Sequence, residues 1–242
     1  MQFPRARLCV TAFSAALLLC ACAINGNITD PLEPLNRGIY KFNDAADKAV
    51  VKPVARAYRA VTPAPVRTGV GNFFSNLGDV LVTANDLLQF KFRQAATDAT
   101  RVLLNSTFGV AGLFDVATPA GLEQHNEDFG QTLGYWGMGP GAYLMLPLLG
   151  PSTLRDTVGR VVDNYGDPVT NIGHVPTRNS GIGARLVDRR AGLLDTDKLL
   201  EEAALDPYVF LRDAYLQRRR SLVYDGNPPP EEWEDEPKAP SP

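Results

Sequence analysis

Residues 129–154 constrain the fold more than any other part of the chain, because they carry no charged side chain over 26 positions. A helix that spans a bilayer needs only about 20 apolar residues, so the length alone would suffice. The segment nevertheless contains six glycines and three prolines, which exclude one straight helix. Two interpretations stay open: an irregular core segment of a soluble domain, or a segment at membrane depth that is packed against its own protein.

The N-terminus predicts a secretory signal peptide over residues 1–21. Two arginines precede the uncharged run 8–19, which is too short for a transmembrane helix, and small residues follow it. The sequence Leu-Cys-Ala-Cys at 19–22 resembles the bacterial lipobox and predicts that Cys22 is acylated. Cys20 fits this pattern less well, because a bulky leucine would stand before the cut. An ordinary signal peptide with an incidental cysteine is the alternative.

The remaining chain divides into three parts. Residues 22–29 predict a lipidated tether, which at full extension spans at most about 25 Å, so the folded part should lie against the bilayer. Residues 30–226 hold the apolar periodicity of one helical domain. Residues 227–242 contain six prolines and five acids, a composition that predicts a disordered tail.

Apolar residues in 30–226 recur at three and four positions, whereas alternating, strand-like patterns are scarce, so the predicted fold is all-α. Asp30 is the expected cap of the first helix, with Pro31 in its first turn. Lys52-Pro53 should interrupt that helix, and Ser152 should cap a later one. The predicted helical runs are 32–50, 54–61, 66–77, 80–92, 95–104, 152–162 and 205–223.

Catalytic and cofactor motifs are missing from the sequence. No serine lies in the G-x-S-x-G pattern of hydrolases, and the glycine-rich run 137–141 lacks the lysine of a P-loop. All three cysteines fall in the first 22 residues, which excludes a cysteine-ligated metal or a disulfide scaffold in the body. The net charge of −3 gives no reason to expect nucleic acid. We therefore expect no enzyme activity, no cofactor and no nucleic-acid partner.

Two charged clusters have competing interpretations. Glu123, His125, Glu127 and Asp128 could pass for metal ligands, but no second histidine lies three or four residues away, so a solvated turn is favoured and no metal is predicted. The run 218–220, which is Arg-Arg-Arg, could bind lipid phosphates or could be the solvated C-terminal end of a helix.

Several long motifs resemble the MlaA/VacJ outer-membrane lipoproteins. They are DPLEPLNRGIYKFND at 30–44, NFFSNL at 72–77, RVLLNSTFGVAGLFDVA at 101–117, EDFGQTLGYWGMGPGAYLMLPLLGPSTLRD at 127–156 and DPYVFLRDAYLQRR at 206–219. They occur in the family's order and cover nearly the whole mature body. The acidic tail is not part of the resemblance.

The resemblance implies a ring-like assembly of amphipathic helices that lies in the inner part of the outer membrane. A central amphipathic channel would let phospholipids that have strayed to the outer leaflet pass inward, to a soluble periplasmic carrier. A trimeric porin is the implied partner. Ala23 directly follows the predicted acylated cysteine, at a position where this chain has no aspartate. By resemblance to other lipoproteins, the absence of aspartate there favours the outer membrane over the inner one.

The stretch 108–114, FGVAGLF, resembles the family's channel-side hairpin. Phe108, Leu113 and Phe114 would then face lipid, with plain core packing as the alternative. Gly109 and Gly112 would let the segment bend, so proline at either position should stiffen it without disturbing remote helices. A structural, porin-associated lipoprotein without transport activity is the competing function.

Overall fold

A computed structural model describes residues 30–197 and 205–230. The chain begins with helix α1 (Glu33–Ala46), which continues through a π-helical turn (Asp47–Val51) into α2 (Lys52–Val61). The predicted interruption before the second helix is thus present as a change to π-helical winding over 47–51, and not as a break in the helical course of the chain. A proline inside a helix clashes with the carbonyl four residues earlier, and the wider π turn directly before Pro53 accommodates that clash.

Asp30 does not cap α1, contrary to the sequence prediction. Leu32 occupies the cap position without a side-chain hydrogen bond, and the Asp30 side chain is buried instead. Its carboxylate accepts hydrogen bonds from Asn36 Nδ2 at 2.8 Å and from the Tyr208 hydroxyl at 2.5 Å. Asp30 thus joins the start of the domain to its last helix, a contact that local sequence does not reveal.

The long helix α3 (Ala64–Leu88) and α4 (Phe92–Thr107) form an antiparallel pair. The two predicted runs at 66–77 and 80–92 belong mostly to this one helix of 25 residues. It ends where Phe90 takes a left-handed conformation, with φ of 60°.

The uncharged segment 129–154 forms the short helix α5 (Phe129–Tyr135), a loop, and a two-stranded antiparallel hairpin of β1 (Tyr143–Leu146) and β2 (Gly150–Thr153). The register pairs Tyr143 with Thr153 and Leu146 with Gly150. Helix α6 (Leu154–Gly166) follows β2 directly. Its cap is Thr153, which accepts a hydrogen bond from the Asp156 amide, and not Ser152, which lies within the strand.

An asparagine pair on α1, Asn36 and Asn43, holds the hairpin. Asn36 donates to the Tyr143 carbonyl at 3.0 Å and accepts from the Met145 amide at 2.8 Å. Asn43, two helical turns further, donates to the Leu146 carbonyl at 2.9 Å and accepts from the Leu148 amide at 2.7 Å. Each amide therefore acts as an additional peptide group beside the edge of β1.

The remaining elements are α7 (Val175–Gly192) and α8 (Pro207–Val223), the latter capped by Asp206. Contacts run around a closed circuit. Helix α1 meets β1, β2 meets α6 and α8, α6 packs on α5, α5 meets α3, α3 meets α7, and α7 packs on α2, which leads back to α1. The described residues are thus mostly helical with a single small sheet, which confirms the helical prediction.

Candidate functional site

Burial in this protein is inverted relative to a soluble domain. Among the described residues, polar and charged side chains outnumber apolar ones in the buried class. The buried apolar cluster is small, centred on Tyr143, Met145 and Tyr208 with edge-to-face rings about 6.2 Å apart. Soluble proteins bury apolar side chains and leave most charged ones in water. The inverted distribution indicates that the surroundings of this protein include an apolar phase.

The outward face of α6 gives the clearest example of that exterior. Five of its apolar side chains recur along one face and are 40–78% exposed: Leu154, Val158, Val161, Val162 and Tyr165. An amphipathic helix in water turns such a face toward the core. Here the opposite face is buried, through Arg155, Asp156 and Gly159. A contiguous apolar stripe of this kind marks contact with a membrane or a partner.

The interior contains charged networks rather than isolated charges. Arg101 is 2% exposed and donates to the Leu122 carbonyl at 2.6 Å and to Asp115 at 3.2 Å. Burial alone would raise the pKa of Asp115, but hydrogen bonds from Thr118 and Asn105 and the charge of Arg101 lower it to about 2. Asp115 is therefore held in its charged form, and its hydrogen bonds link α4 to the loop that follows it.

The network supports an apolar turn, residues 108–114, which directly follows α4. Its predicted lipid-facing side chains point outward, since Phe108, Leu113 and Phe114 are 75%, 39% and 63% exposed. The turn lies against α3, where Asn72 Nδ2 donates to the Leu113 carbonyl at 3.2 Å. None of the three belongs to the buried class, and their contact with lipid stays a prediction.

Gly109 and Gly112 serve close packing, contrary to the expectation that they serve motion. A Cβ on Gly109 would lie 2.0 Å from the Phe114 carbonyl oxygen, and one on Gly112 would lie 2.8 Å from Asn76. Gly112 also has φ of 86°, a conformation that favours glycine. The Gly109 amide donates to the Leu104 carbonyl at 3.2 Å, so proline there would remove a hydrogen bond as well as clash.

The cluster at 123–128 is not the solvated turn that its sequence favours. His125 Nδ1 lies 2.8 Å from Asp98 Oδ2, and Glu127 accepts from Gln89 at 2.9 Å and from Lys91 at 3.0 Å. These side chains connect the loop to the α3–α4 pair and point to different partners. Among the described residues, no group of three or more histidine, cysteine, aspartate or glutamate side chains is arranged to hold a metal ion.

Asp86 is a buried carboxyl group that no hydrogen-bond donor among the described residues stabilises. It is fully buried on α3, and neither of its oxygens receives a hydrogen bond from a donor group. Burial, followed by the neighbouring Asp98 carboxyl and the charge of Glu127, raises the pKa of Asp86 to about 7. Protonation of Asp86 removes the repulsion between its carboxylate and that of Asp98.

Arg219, in the middle of the run 218–220, is buried rather than solvated. It donates to Asp128 at 2.5 Å and to Asp156 at 2.9 Å, and so joins α8 to the ends of α5 and α6. Burial alone would lower the pKa of this guanidinium, but the two carboxylates raise it, and Arg219 stays charged. Sequence spacing could not reveal this, because both partners lie more than 60 residues away.

Three predicted segments lie wholly or partly outside the described residues: the signal peptide at 1–21, the tether at 22–29 with its acylated Cys22, and the acidic part of the tail beyond residue 230. Within the described residues, no helix combines the length and hydropathy that crossing a bilayer requires.

Comparisons with known proteins agree with the sequence resemblance. A family model described as MlaA lipoprotein matches residues 28–222. The intermembrane phospholipid transport system lipoprotein MlaA of Escherichia coli (strain K12) is 37% identical over 234 residues, covering 93% of this chain and 92% of the relative. The protein of the same name from Shigella flexneri has the same identity and coverage.

A solved structure shares the fold. It was determined to give the structural basis for maintenance of bacterial outer membrane lipid asymmetry, and it superposes on this chain with a TM-score of 0.71. The two chains are 35% identical, and the match covers 82% of this chain and 99% of the other.

Proposed function

Because this chain belongs to the MlaA lipoprotein family, we propose that it removes mislocalised phospholipids from the outer leaflet of the outer membrane. It does so through an amphipathic channel and passes the lipids to a soluble periplasmic carrier. The protein is anchored at the outer membrane by lipid on Cys22 and faces the periplasm. The function is retrograde lipid transport that maintains outer-membrane asymmetry, and it includes no enzymatic step.

The inverted burial is the observation that carries this proposal. Exposed apolar faces on α6 and on the apolar turn suit contact with acyl chains, while the interior is rich in aspartate, asparagine and arginine. Moving a phospholipid headgroup through hydrocarbon costs several kcal/mol or more. A protein with polar groups inside and apolar groups outside lowers that barrier by offering each part of the lipid a matching surface.

No nucleotide is needed for such a step, since lipid can move down a gradient that is maintained elsewhere. The ring-like circuit of contacts supports a passage enclosed by helices. The apolar turn, residues 108–114, would contact acyl chains through Phe108 and Phe114, the two side chains that it exposes most. Its close-packed glycines make it a fixed surface on the charged network below it.

The proposed partners are phospholipids, the periplasmic carrier and a trimeric porin. The competing function is a porin-associated structural lipoprotein without transport activity. An apolar exterior suits both, because each would lie in the membrane. Movement of lipid through the protein separates the two.

The decisive experiment measures transfer of fluorescent phospholipid from vesicles that contain the acylated protein to an added periplasmic carrier. Transfer should rise above that of protein-free vesicles. Phe114→Asp should reduce transfer at unchanged protein abundance, because it places a charge on the lipid-facing turn, and Phe114→Leu should leave transfer unchanged. Normal porin association together with no transfer by the wild-type protein would favour the structural lipoprotein.

Anchoring is tested separately through Cys22. Cys22→Ala should leave an uncleaved or soluble precursor, since acylation of that thiol supplies the membrane anchor. Mass spectrometry of the wild-type N-terminus should find the lipid on Cys22, and an acylated Cys20 would contradict the assignment.

A further inference from the structure

A cavity of about 420 Å³ lies between the C-terminal end of α5, the following loop and the last turns of α8. Its volume is within the range of small-molecule pockets. Its wall includes three arginines, Arg155, Arg219 and Arg220, and no acidic side chain of the described residues lines it. Two carboxylates, those of Asp156 and Asp128, neutralise Arg155 and Arg219. They lie behind the guanidinium groups and not on the wall.

Hydrogen-bond donors on this wall are incompletely used. Arg155 is 6% exposed, and its Nε and Nη2 hold Asp156 Oδ1 at 3.0 Å, but its Nη1 makes only a 3.4 Å contact with the Met138 carbonyl. Arg219 Nε has no hydrogen-bond partner among the described residues but is itself fully buried behind the wall, and Arg220 Nη2 donates to the Pro229 carbonyl at 2.6 Å. Buried donors without partners are unfavourable. Guanidinium groups of this kind match the oxygens of a phosphate.

The rest of the wall is apolar, through Met138, Leu216 and Val223. Aromatic residues with exposed rings stand beside the cavity: Tyr224 lines it, and Tyr135 and Trp136 directly precede its loop. Tyrosine and tryptophan are enriched at the depth where hydrocarbon meets headgroups. A ligand here would therefore meet positive charge and apolar surface together, at headgroup depth.

We propose that this cavity binds the phosphodiester headgroup of a glycerophospholipid. Arg155 and Arg220 donate to the phosphate oxygens, and the first carbons of an acyl chain lie over Met138 and Val223. The volume holds a headgroup with its glycerol, while the acyl chains continue along the apolar exterior. The site rests on the proposed function in one respect, that the protein meets phospholipid at a membrane.

The chain offers a variant that fills the cavity. Gly139 lines it, a Cβ there would meet nothing within 4 Å, and its φ is not left-handed. Gly139→Leu should occupy the space with little effect on the melting temperature. Gly173→Leu is the matched control, because Gly173 is equally open but does not line the cavity. Arg220→Gln weakens the charge without adding bulk, and Arg220→Lys restores it.

Binding is measured by calorimetry on the full mature protein in neutral detergent, with dihexanoyl phosphatidylglycerol, dihexanoylglycerol and inorganic phosphate as separate probes. We expect the phospholipid to bind at least tenfold more tightly than either of the others. Gly139→Leu should weaken that binding at least tenfold and Arg220→Gln severalfold, while Gly173→Leu and Arg220→Lys stay near the wild type.

Equal binding of dihexanoylglycerol would overturn the role of the phosphate, and equal binding of inorganic phosphate would make this a site for the free anion. Unchanged binding in both Gly139→Leu and Arg220→Gln would place the ligand elsewhere. The vesicle assay keeps the two proposals apart. Transport without binding at this cavity overturns the site alone, whereas binding without transport overturns the proposed function alone.

Discussion

Single residues in the interior determine how the protein responds to pH. Asp86 and Asp98 place two carboxyl groups together, and only Asp98 has a donor, from His125. Because the folded protein raises the pKa of Asp86 from 3.8 to about 7, the folded state keeps a proton that the unfolded chain releases. The contribution of Asp86 to the free energy of unfolding is therefore greatest below about pH 4 and declines as the pH rises to about 7.

Asp86→Asn should remove this pH dependence, because the amide imitates the neutral carboxyl group. The variant should melt several degrees above the wild type at pH 8 and close to it at pH 4, since about 1 kcal/mol shifts the melting temperature of a domain this size by about 2–4 °C. Thermal melts from pH 4 to 8 test this. Asp115→Asn is the control, since the folded protein lowers the pKa of Asp115 instead of raising it. This variant should therefore lower the melting temperature at pH 8. A pH profile of Asp86→Asn parallel to that of the wild type would contradict the raised pKa of Asp86.

Gly109 gives a second prediction at this scale. Gly109→Ala should destabilise the protein by about 2 kcal/mol or more, since its Cβ would lie 2.0 Å from the Phe114 carbonyl oxygen. Gly173→Ala, in open space, should leave the melting temperature unchanged. If both variants melt like the wild type, the apolar turn moves more freely than its packing indicates.

At the scale of elements, the sequence predicts where the helices lie better than it predicts which face of each helix is buried. Spacing of three and four residues predicted a helix at 152–162, and α6 is there, but with its apolar face outward. Periodicity finds an amphipathic face and does not say which phase that face meets. The β-hairpin was missed for a local reason. Its turn places Leu148 at φ of 61°, where the usual turn signal is glycine or asparagine.

Long-range contacts account for the other wrong predictions. Asp30 resembles a cap by its position before a proline, yet its partner Tyr208 is 178 residues away. Arg219 resembles a solvated helix end, yet Asp128 and Asp156 surround it. Phe108 and Phe114 are exposed, but the close packing of Gly109 and Gly112 is not what the sequence predicts, because the contact between Gly112 and Asn76 on α3 is not visible in the local sequence.

Substitutions in the asparagine pair should loosen the hairpin to an extent that depends on how many hydrogen bonds each one removes. Asn43→Ala should cost about 1–2 kcal/mol, because two hydrogen bonds to the backbone of the hairpin tip are lost. Asn43→Asp should cost less, since it still accepts from the Leu148 amide but no longer donates to Leu146. Hydrogen exchange should quicken at Leu148 in the alanine variant and stay slow in the aspartate variant. Equal protection in both would show that the strand pairing alone holds the tip.

At the scale of the whole molecule, the domain should be complete without its acidic tail. Among the described residues, truncation after Asn227 removes one exposed hydrogen bond, from Arg220 to the Pro229 carbonyl, and no buried side chain. The melting temperature should fall by no more than about 2 °C. Truncation before Asp206 should instead prevent folding, because it removes Tyr208 and Arg219 from the interior. A large drop on removing the tail alone would assign it a structural role.

The bond between Asp30 and Tyr208 also has a consequence for biogenesis. If the chain is exported through its predicted signal peptide, its N-terminus emerges first, and almost the entire domain must follow before Tyr208 arrives. Until then Asp30 lacks its hydrogen-bond partner Tyr208 on α8, and the apolar faces of the earlier helices meet water. The unfinished chain is thus a natural client for a holding chaperone, and its release can be timed by the arrival of its last helix.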